Sequence, residues 1–419
     1  MLRFIKKSPT SFHAAANLAR VFDENGFRRL KETEEWKLKP GRAYYVTRND
    51  SALMAFRIPE EGSPLGFHIT AAHGDSPAFK IKESPEMVAE QAYRKLNTEK
   101  YGGMILSSWL DRPLSLAGRV VVKVESGTET RLVNIREDLM VIPSVAIHMS
   151  RDVAKGGEYN PQTDMLPIYG EWEEEGEENP LMARVAREAG VKPEDILGHD
   201  LFLYVREKGR ILGENGVFVH SSRLDDLQCV YTSARGLLES RPERHISVCA
   251  VFDNEEVGSG TKQGADSTFL EDTLWRIAES LELNRSKFLQ LIAGSFLISA
   301  DNAHAVHPNH PEKADPTNRP RLNGGIVIKF HGSQKYATDA VSAAEVRLLC
   351  REAGVPCQTY ANRSDIPGGS TLGNISTSHV SVSSADIGLP QLAMHSAVET
   401  AGVKDTKYAV DLFRVFFSK

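Results

Sequence analysis

The chain has little from which to build crosslinks or membrane spans. Only four of its 419 residues are cysteine, Cys229, Cys249, Cys350 and Cys357, and no two stand in a Cys-x-x-Cys pair. A disulfide framework and a zinc ribbon therefore have no support, and the pattern points to a reducing, cytoplasmic compartment. Long apolar runs are missing too. The longest, residues 288–300, is broken by Gln290, Gly294 and Ser295, short of the ~20 residues a spanning helix needs, so no membrane partner is expected. Positive charge is not in excess. Fifty Lys and Arg stand against 56 Asp and Glu, a net charge of −6 with no basic stripe, which argues against a nucleic-acid partner. The start of the chain, Lys6-Lys7 followed by Ser8-Pro9-Thr10-Ser11, lacks the apolar segment of a targeting peptide.

What is present is ordinary globular composition and enough length for two to three domains. Residues 12–22 read as an amphipathic helix opened by Ser8-Pro9 and closed at Gly26. Residues 66–71 form an apolar run whose end delivers His73-Gly74-Asp75. Residues 119–124 and 130–135 are β-branched runs joined by Glu125-Ser126-Gly127-Thr128-Glu129, a hairpin pattern, and residues 201–205 and 216–220 are strand-like. The acidic run 171–178 reads as a solvated loop rather than a cation site. From about residue 222 strands (244–252, 325–330) alternate with helical periods (228–238, 270–283, 340–354). The expected fold class is α/β: one domain built from residues 1–77 and 221–419, interrupted by a β-rich insertion over residues 78–220.

Carboxylates and imidazoles recur where apolar runs end. In His73-Gly74-Asp75 a histidine can ligate a metal while the aspartate holds its other ring nitrogen. Asp225-Asp226 precedes a helical stretch and reads as a cap, or as a carboxylate able to bridge two cations. Asp253-Asn254-Glu255-Glu256 follows the apolar run 244–252, and clustered carboxylates beside a buried strand are costly unless a cation compensates them. One of these glutamates can ligate while its neighbour acts as general base on water. Asp301, with His304 and His307 after it, and His395 in the run Gln391-Leu392-Ala393-Met394-His395 complete the series. Each alone reads as a structural residue. Together His73, Asp225, Glu256, Asp301 and His395 supply two imidazoles and three carboxylates, a donor set for two divalent ions. Mixed nitrogen and oxygen donors favour Zn2+, with Co2+ or Mn2+ as substitutes.

At this point the sequence resembles the aspartyl aminopeptidase family of dizinc metallo-aminopeptidases (M18). The resemblance runs from His73-Gly74-Asp75-Ser76-Pro77 through Ser108-Trp109-Leu110-Asp111-Arg112, Leu116-Ala117-Gly118-Arg119-Val120, Asp253-Asn254-Glu255-Glu256-Val257-Gly258-Ser259 and Ser299-Ala300-Asp301 to Met394-His395-Ser396. Two departures stand out: Gly74 where the family usually has threonine, and Asp226 where it usually has asparagine. The resemblance implies His73 and Asp301 at one metal and Glu256 and His395 at the other, with Asp225 bridging. It implies Glu255 as general base and Asp75 as the residue orienting His73. It further implies an inserted β-rich dimerisation domain, a tetrahedral dodecamer, and peptide substrates with acidic first residues. His148 would be lent to a neighbouring subunit's site, and His304, Lys329 and Tyr336 would contact substrate. The alternatives are a preference for neutral or apolar first residues, or another dinuclear zinc hydrolase.

Overall fold

Among the residues that the computed structural model describes, 1–150, 156–174, 176 and 178–419, nine strands make the largest sheet. The chain divides into two units. The first comprises Met1–Asp75, Gly209–Met394 and Glu399–Lys419, and the second comprises Ser76–Lys208 with His395–Val398.

In the first unit the sheet order is Arg28–Leu30, Ala43–Arg48, Ala52–Arg57, Ile246–Phe252, Phe67–His73, Phe296–Ala300, Ser383–Gly388, Ile326–Phe330 and Cys357–Ala361. The four strands from Ile246–Phe252 to Ser383–Gly388 are mutually parallel. They are buried along almost their whole length, as strands covered on both faces must be. Alternation within Ile246–Phe252 sorts its residues onto the two faces. Cys249 and Val251 pack with Val230, Phe413 and Phe417. Ile246, Val248, Ala250 and Phe252 pack with Phe269, Leu274 and Phe288. The helices expected near residues 12–22, 228–238, 270–283 and 340–354 are observed as Ser11–Glu24, Leu224–Glu239, Phe269–Ser280 and Ala340–Ala353. A further helix, Arg285–Ala293, occupies the first part of the apolar run at 288–300, which Gly294 separates from the strand Phe296–Ala300.

Parallel packing brings the carboxyl ends of these strands to one edge. His73 ends its strand directly opposite Phe252. Asp253 and Asp301 are the first residues beyond their strands. Ligand sites in open α/β sheets form outside these ends, where loops are free to carry polar side chains. A second sheet of the same unit, ordered Arg210–Leu212, Phe218–Ser221, Glu399–Gly402, Pro390–Leu392 and Ala303–His304, carries Glu399, Gln391 and His304.

The second unit holds a six-stranded sheet ordered Gly127–Asn134, Leu114–Val124, Ile196–Val205, Ala78–Ala89, Tyr93–Tyr101 and Ile168–Glu171. The expected hairpin pairs from Ala117 with Asn134 to Val124 with Gly127. Its core gathers Phe79, Trp109, Leu116, Val120, Leu201 and Leu203, with Leu181 and Val185 from the helix Pro180–Ala189. Gly118 is required here, because a Cβ on it would lie 1.9 Å from the Asp200 carbonyl oxygen. The hairpin Ala78–Ala89 and Tyr93–Tyr101 has no counterpart in the sequence reading. A register shift between Ile81 and Glu86 breaks the alternation that would have disclosed it. Of the acidic run at 171–178, Glu171 ends a strand, and Glu175 and Glu177 lie outside the described residues.

Candidate metal centre

His73 is held from behind by Asp75. Its Nδ1 lies 3.1 Å from the Asp75 carbonyl oxygen and 3.3 Å from Asp75 Oδ1. The same carboxylate accepts the Glu255 N–H on Oδ1 and the Glu256 N–H on Oδ2, each at 3.2 Å. One aspartate therefore sets the imidazole and the backbone of both glutamates together. That arrangement leaves Nε2 of His73 facing forward, 3.5 Å from Asp225 Oδ1 and 4.0 Å from both Asp301 Oδ1 and Glu255 Oε2.

Two overlapping triplets follow. His73, Asp225 and Asp301 offer donor atoms all within 4.8 Å of one another, and so do His73, Glu255 and Glu256. Asp225 is 2% exposed, and its peptide with Asp226 is cis. The Asp225 N–H donates to Glu399 Oε2 at 3.0 Å, and the His73 N–H donates to Asp226 Oδ2 at 3.2 Å. Behind them Asn302 Nδ2 donates to the Leu224 carbonyl, Gln228 Oε1 and Gln391 Oε1 at 3.0, 3.3 and 2.8 Å. Glu399, Asn302 and Gln391 went unassigned in the sequence. The signal for Glu399 is a carboxylate inside the apolar run Ala397-Val398-Glu399-Thr400-Ala401; the two amides carry none.

Burial of so many carboxylates raises their pKa values. Asp301 is pushed up to about 6 and Glu255 to about 7, chiefly by burial; Lys329 opposes the rise at Asp301 and His73 opposes it at Glu255. Glu256 is driven well above the usual carboxylate range by burial and the Asp225 charge. Burial alone would lower the His73 pKa, but Asp225 and Asp75 outweigh it and raise it well above normal. Each shift records the same shortage of positive charge, the condition a bound divalent cation relieves. The donor set of imidazole and carboxylate oxygens suits zinc.

Lys329 supplies one positive charge. It is 3% exposed, donates to the Asn302 carbonyl at 2.9 Å, and lies 3.5 Å from Asp301 Oδ2. Its ammonium stands 5.5 Å from the centre of the Tyr336 ring. Tyr336 is 6.5 Å from Tyr360, and Tyr360 is 6.0 Å from the exposed His304. The three expected substrate residues of this unit thus gather around Tyr360, an aromatic the sequence reading left out. His395 belongs to the short stretch grouped with the second unit, at φ 65, and its carbonyl accepts the Ile105 N–H at 3.0 Å. His148 is exposed in a turn of the second unit.

A doubly covered, mainly parallel sheet with imidazole and carboxylates converging at its strand ends defines a metal-dependent hydrolase of the α/β class. The family model for aminopeptidase I zinc metalloproteases (M18) matches residues 4–417, and the chain belongs to that family of metallo-aminopeptidases. It is 49% identical over 422 residues to a probable M18 family aminopeptidase 2 of Clostridium novyi, covering all of this chain and 98% of that protein. The corresponding Clostridium acetobutylicum protein is 48% identical over 425 residues, with the same coverage. Among solved structures, the Ape4 and Nbr1 complex aligns with a TM-score of 0.95 at 37% identity, covering 99% of this chain and 84% of that one. The S. cerevisiae mApe1 dodecamer aligns with a TM-score of 0.86 at 27% identity, covering 99% and 95%.

Proposed function

We propose that this aminopeptidase carries two zinc ions per subunit and removes acidic residues, Asp and Glu, from the N-termini of peptides. The observation that carries the reading is the convergence of His73, Asp225, Glu255, Glu256 and Asp301 in two triplets that share His73. His73 and Asp301 would hold one ion, Glu256 and His395 the other, and Asp225 would bridge; Co2+ or Mn2+ are possible substitutes. Zinc, when bound, supplies Lewis acidity and neutralises the clustered carboxylates. Glu255 takes the proton of the attacking water on its carboxylate and passes it to the departing amine. Asp75 acts through His73, holding its ring by Nδ1 so that Nε2 stays a donor to metal.

Specificity would rest on Lys329. An ammonium has three donors, and the two partners above leave one direction for a substrate carboxylate. Its pairing with Asp301 also supports the second reading, a preference for neutral or apolar first residues, because that charge is already engaged. The S. cerevisiae relative is a dodecamer; the same assembly is proposed here, with the second unit serving dimerisation and His148 completing a neighbour's site, in the cytoplasm.

The deciding experiment is digestion of dipeptides that differ only in the first residue, with and without chelator. Asp and Glu should be released fastest, Arg and Lys slowly or not at all, and chelation should stop release. Lys329→Met should cost acidic substrates about 2 kcal/mol more in kcat/KM than neutral ones. A wild-type preference for Leu over Asp, or an equal loss on both substrates in the variant, defeats the acidic reading.

A further inference from the structure

Asp386 is a carboxylate in the middle of the nine-stranded sheet, on the strand Ser383–Gly388, and it is 1% exposed. Its neighbours Ala385 and Ile387 join the core that also holds Ile328, so strand alternation sends Asp386 out of the opposite face. Among the described residues no cation forms an ion pair with it, and Lys329 on the adjacent strand is committed to Asn302 and Asp301 instead. Its side-chain partners are neutral. Oδ2 accepts the Ala337 N–H at 2.6 Å, and Oδ1 accepts the Thr371 hydroxyl. Its own N–H donates to Thr338 Oγ1 at 2.8 Å. Gly373 makes room for this carboxylate, since a Cβ there would lie 2.5 Å from both of its oxygens. A carboxylate buried without a countercharge is costly, so the geometry it imposes is what keeps it there.

The two donors belong to different segments. Ala337 directly follows Tyr336, whereas Thr371 ends the stretch 366–371 and precedes the helix Leu372–His379. A threonine at such a start ordinarily accepts a hydrogen bond from the first helical turn. Thr371 makes no such cap, and its hydroxyl goes to Asp386. The same two segments meet a second time through Lys335, whose Nζ donates to the Pro367 and Gly368 carbonyls, each at 3.0 Å. His331 Nε2 lies 3.3 Å from the Pro367 carbonyl oxygen. Along its segment Tyr336 therefore stands between two sets of contacts, and it is 5% exposed.

We propose that Asp386 is a positioning residue of the peptidase site: by joining the Tyr336 segment to residues 366–371, it fixes the wall against which the first side chain of the substrate rests. This builds on the reading of Tyr336 as a substrate contact. A carboxylate suits the task because it only accepts, and each oxygen can hold a donor from a different segment. With that tie cut, the two segments are joined through Lys335 and His331 alone. The groups around His73 are untouched, so the loss falls on binding of the first side chain and not on the chemical step.

The test is kcat and KM for two dipeptides, one beginning with alanine and one with the best-cleaved larger residue, with zinc content measured on each variant. Thr371→Val keeps the shape and removes the hydroxyl. It should raise KM roughly ten-fold for the larger residue while kcat, zinc content and KM for the alanine dipeptide stay near wild type. Asp386→Ala should do the same more severely. Asp386→Asn should recover most of the loss, because its oxygen can accept the Ala337 N–H while its NH2 donates to Thr371 Oγ1. Tyr336→Ala separates the tie from the contact beneath it. If Tyr336→Ala raises KM and the Thr371 and Asp386 variants do not, the positioning role is overturned and the contact stands. If Tyr336→Ala also leaves KM unchanged, the contact itself fails. An equal loss on both dipeptides with a fall in kcat or zinc, unrelieved in Asp386→Asn, overturns the proposal by showing a purely structural residue.

Discussion

Two clusters of charge in this protein solve the same electrostatic problem in opposite ways. In the second unit, Asp200 stands between Lys80 at 3.1 Å and Arg119 at 2.9 Å. Burial would raise its pKa, but the two cations outweigh burial and hold it below the usual carboxylate range. In the first unit, Asp225, Glu255, Glu256 and Asp301 crowd around His73, with Lys329 alongside Asp301. There burial wins, and the carboxylates for which a shift is evident move upward. The contrast separates a structural ion cluster from a functional one. Where the chain supplies the countercharge, the carboxylate serves stability; where the chain withholds it, the site is built for an ion from outside.

Removing the proposed base should have the largest effect. Glu255→Gln is expected to keep its zinc, measured by elemental analysis, while kcat falls roughly a hundred- to ten-thousand-fold. Zinc content unchanged with normal turnover would end the assignment of Glu255 and blur the contrast just drawn.

A buried base sharpens the comparison next. His68 stacks on His245 with ring centres 3.8 Å apart, and its Nδ1 lies 2.8 Å from the Phe416 carbonyl oxygen. Burial, with help from the His245 and Lys419 charges and against the pull of the Phe416 carbonyl, lowers its pKa from 6.5 to about 3. Between those values the unfolded chain binds a proton that the native protein does not, so stability rises with pH. The contribution is complete above about pH 6.5 and is lost at up to about 1.4 kcal/mol per unit as pH falls towards 3. Denaturant titrations at pH 7 and pH 5 isolate this part of the slope as the difference between wild type and His68→Gln, because Asp301 and Glu255, raised to about 6 and about 7, act in the opposite direction over the same window. An equal slope in both proteins would remove His68 as the cause.

The smallest effect is expected in the self-compensated cluster. Arg119→Met leaves Asp200 with Lys80 alone, at a cost of about 1 kcal/mol after allowance for partial exposure. Because the contribution of a carboxylate with a depressed pKa is present above its unfolded pKa and lost below it, the difference between wild type and variant should shrink under acid. Peptidase turnover in the variant should stay within a factor of two or so of wild type, by about the margin expected for a residue outside the reacting groups. A large loss of zinc in Arg119→Met would show that the two clusters are not independent.

Much of the proposed donor set shows in local signals. His73 follows an apolar run, the Asp253–Glu256 carboxylates follow another, and Asp301 follows a third, so polar chemistry at each strand end shows in the order of residue types alone. Helices such as Ala340–Ala353 were legible for the same reason, since a period near 3.6 residues is written within one segment. A change of pattern near residues 78 and 220 set the expected limits of an insertion; residues 76–77 group instead with the second unit and residues 209–220 with the first.

What no single segment contains is the order in which the strands meet. Ile246–Phe252 lies beside Phe67–His73 although residues 74–245 separate them along the chain, and Phe296–Ala300 takes the other side. Sheet order is decided by hydrogen bonds between distant backbones and by burial on both faces, neither of which is encoded in periodicity. Only that order brings Asp75 under both His73 and the Glu255–Glu256 backbone, ties Asp225 to Glu399, and sets Lys329 against Asp301. Residue types and their local order determined which chemistry this protein carries; tertiary structure decided which groups share a charge, because electrostatic interaction depends on distance in space and not along the chain.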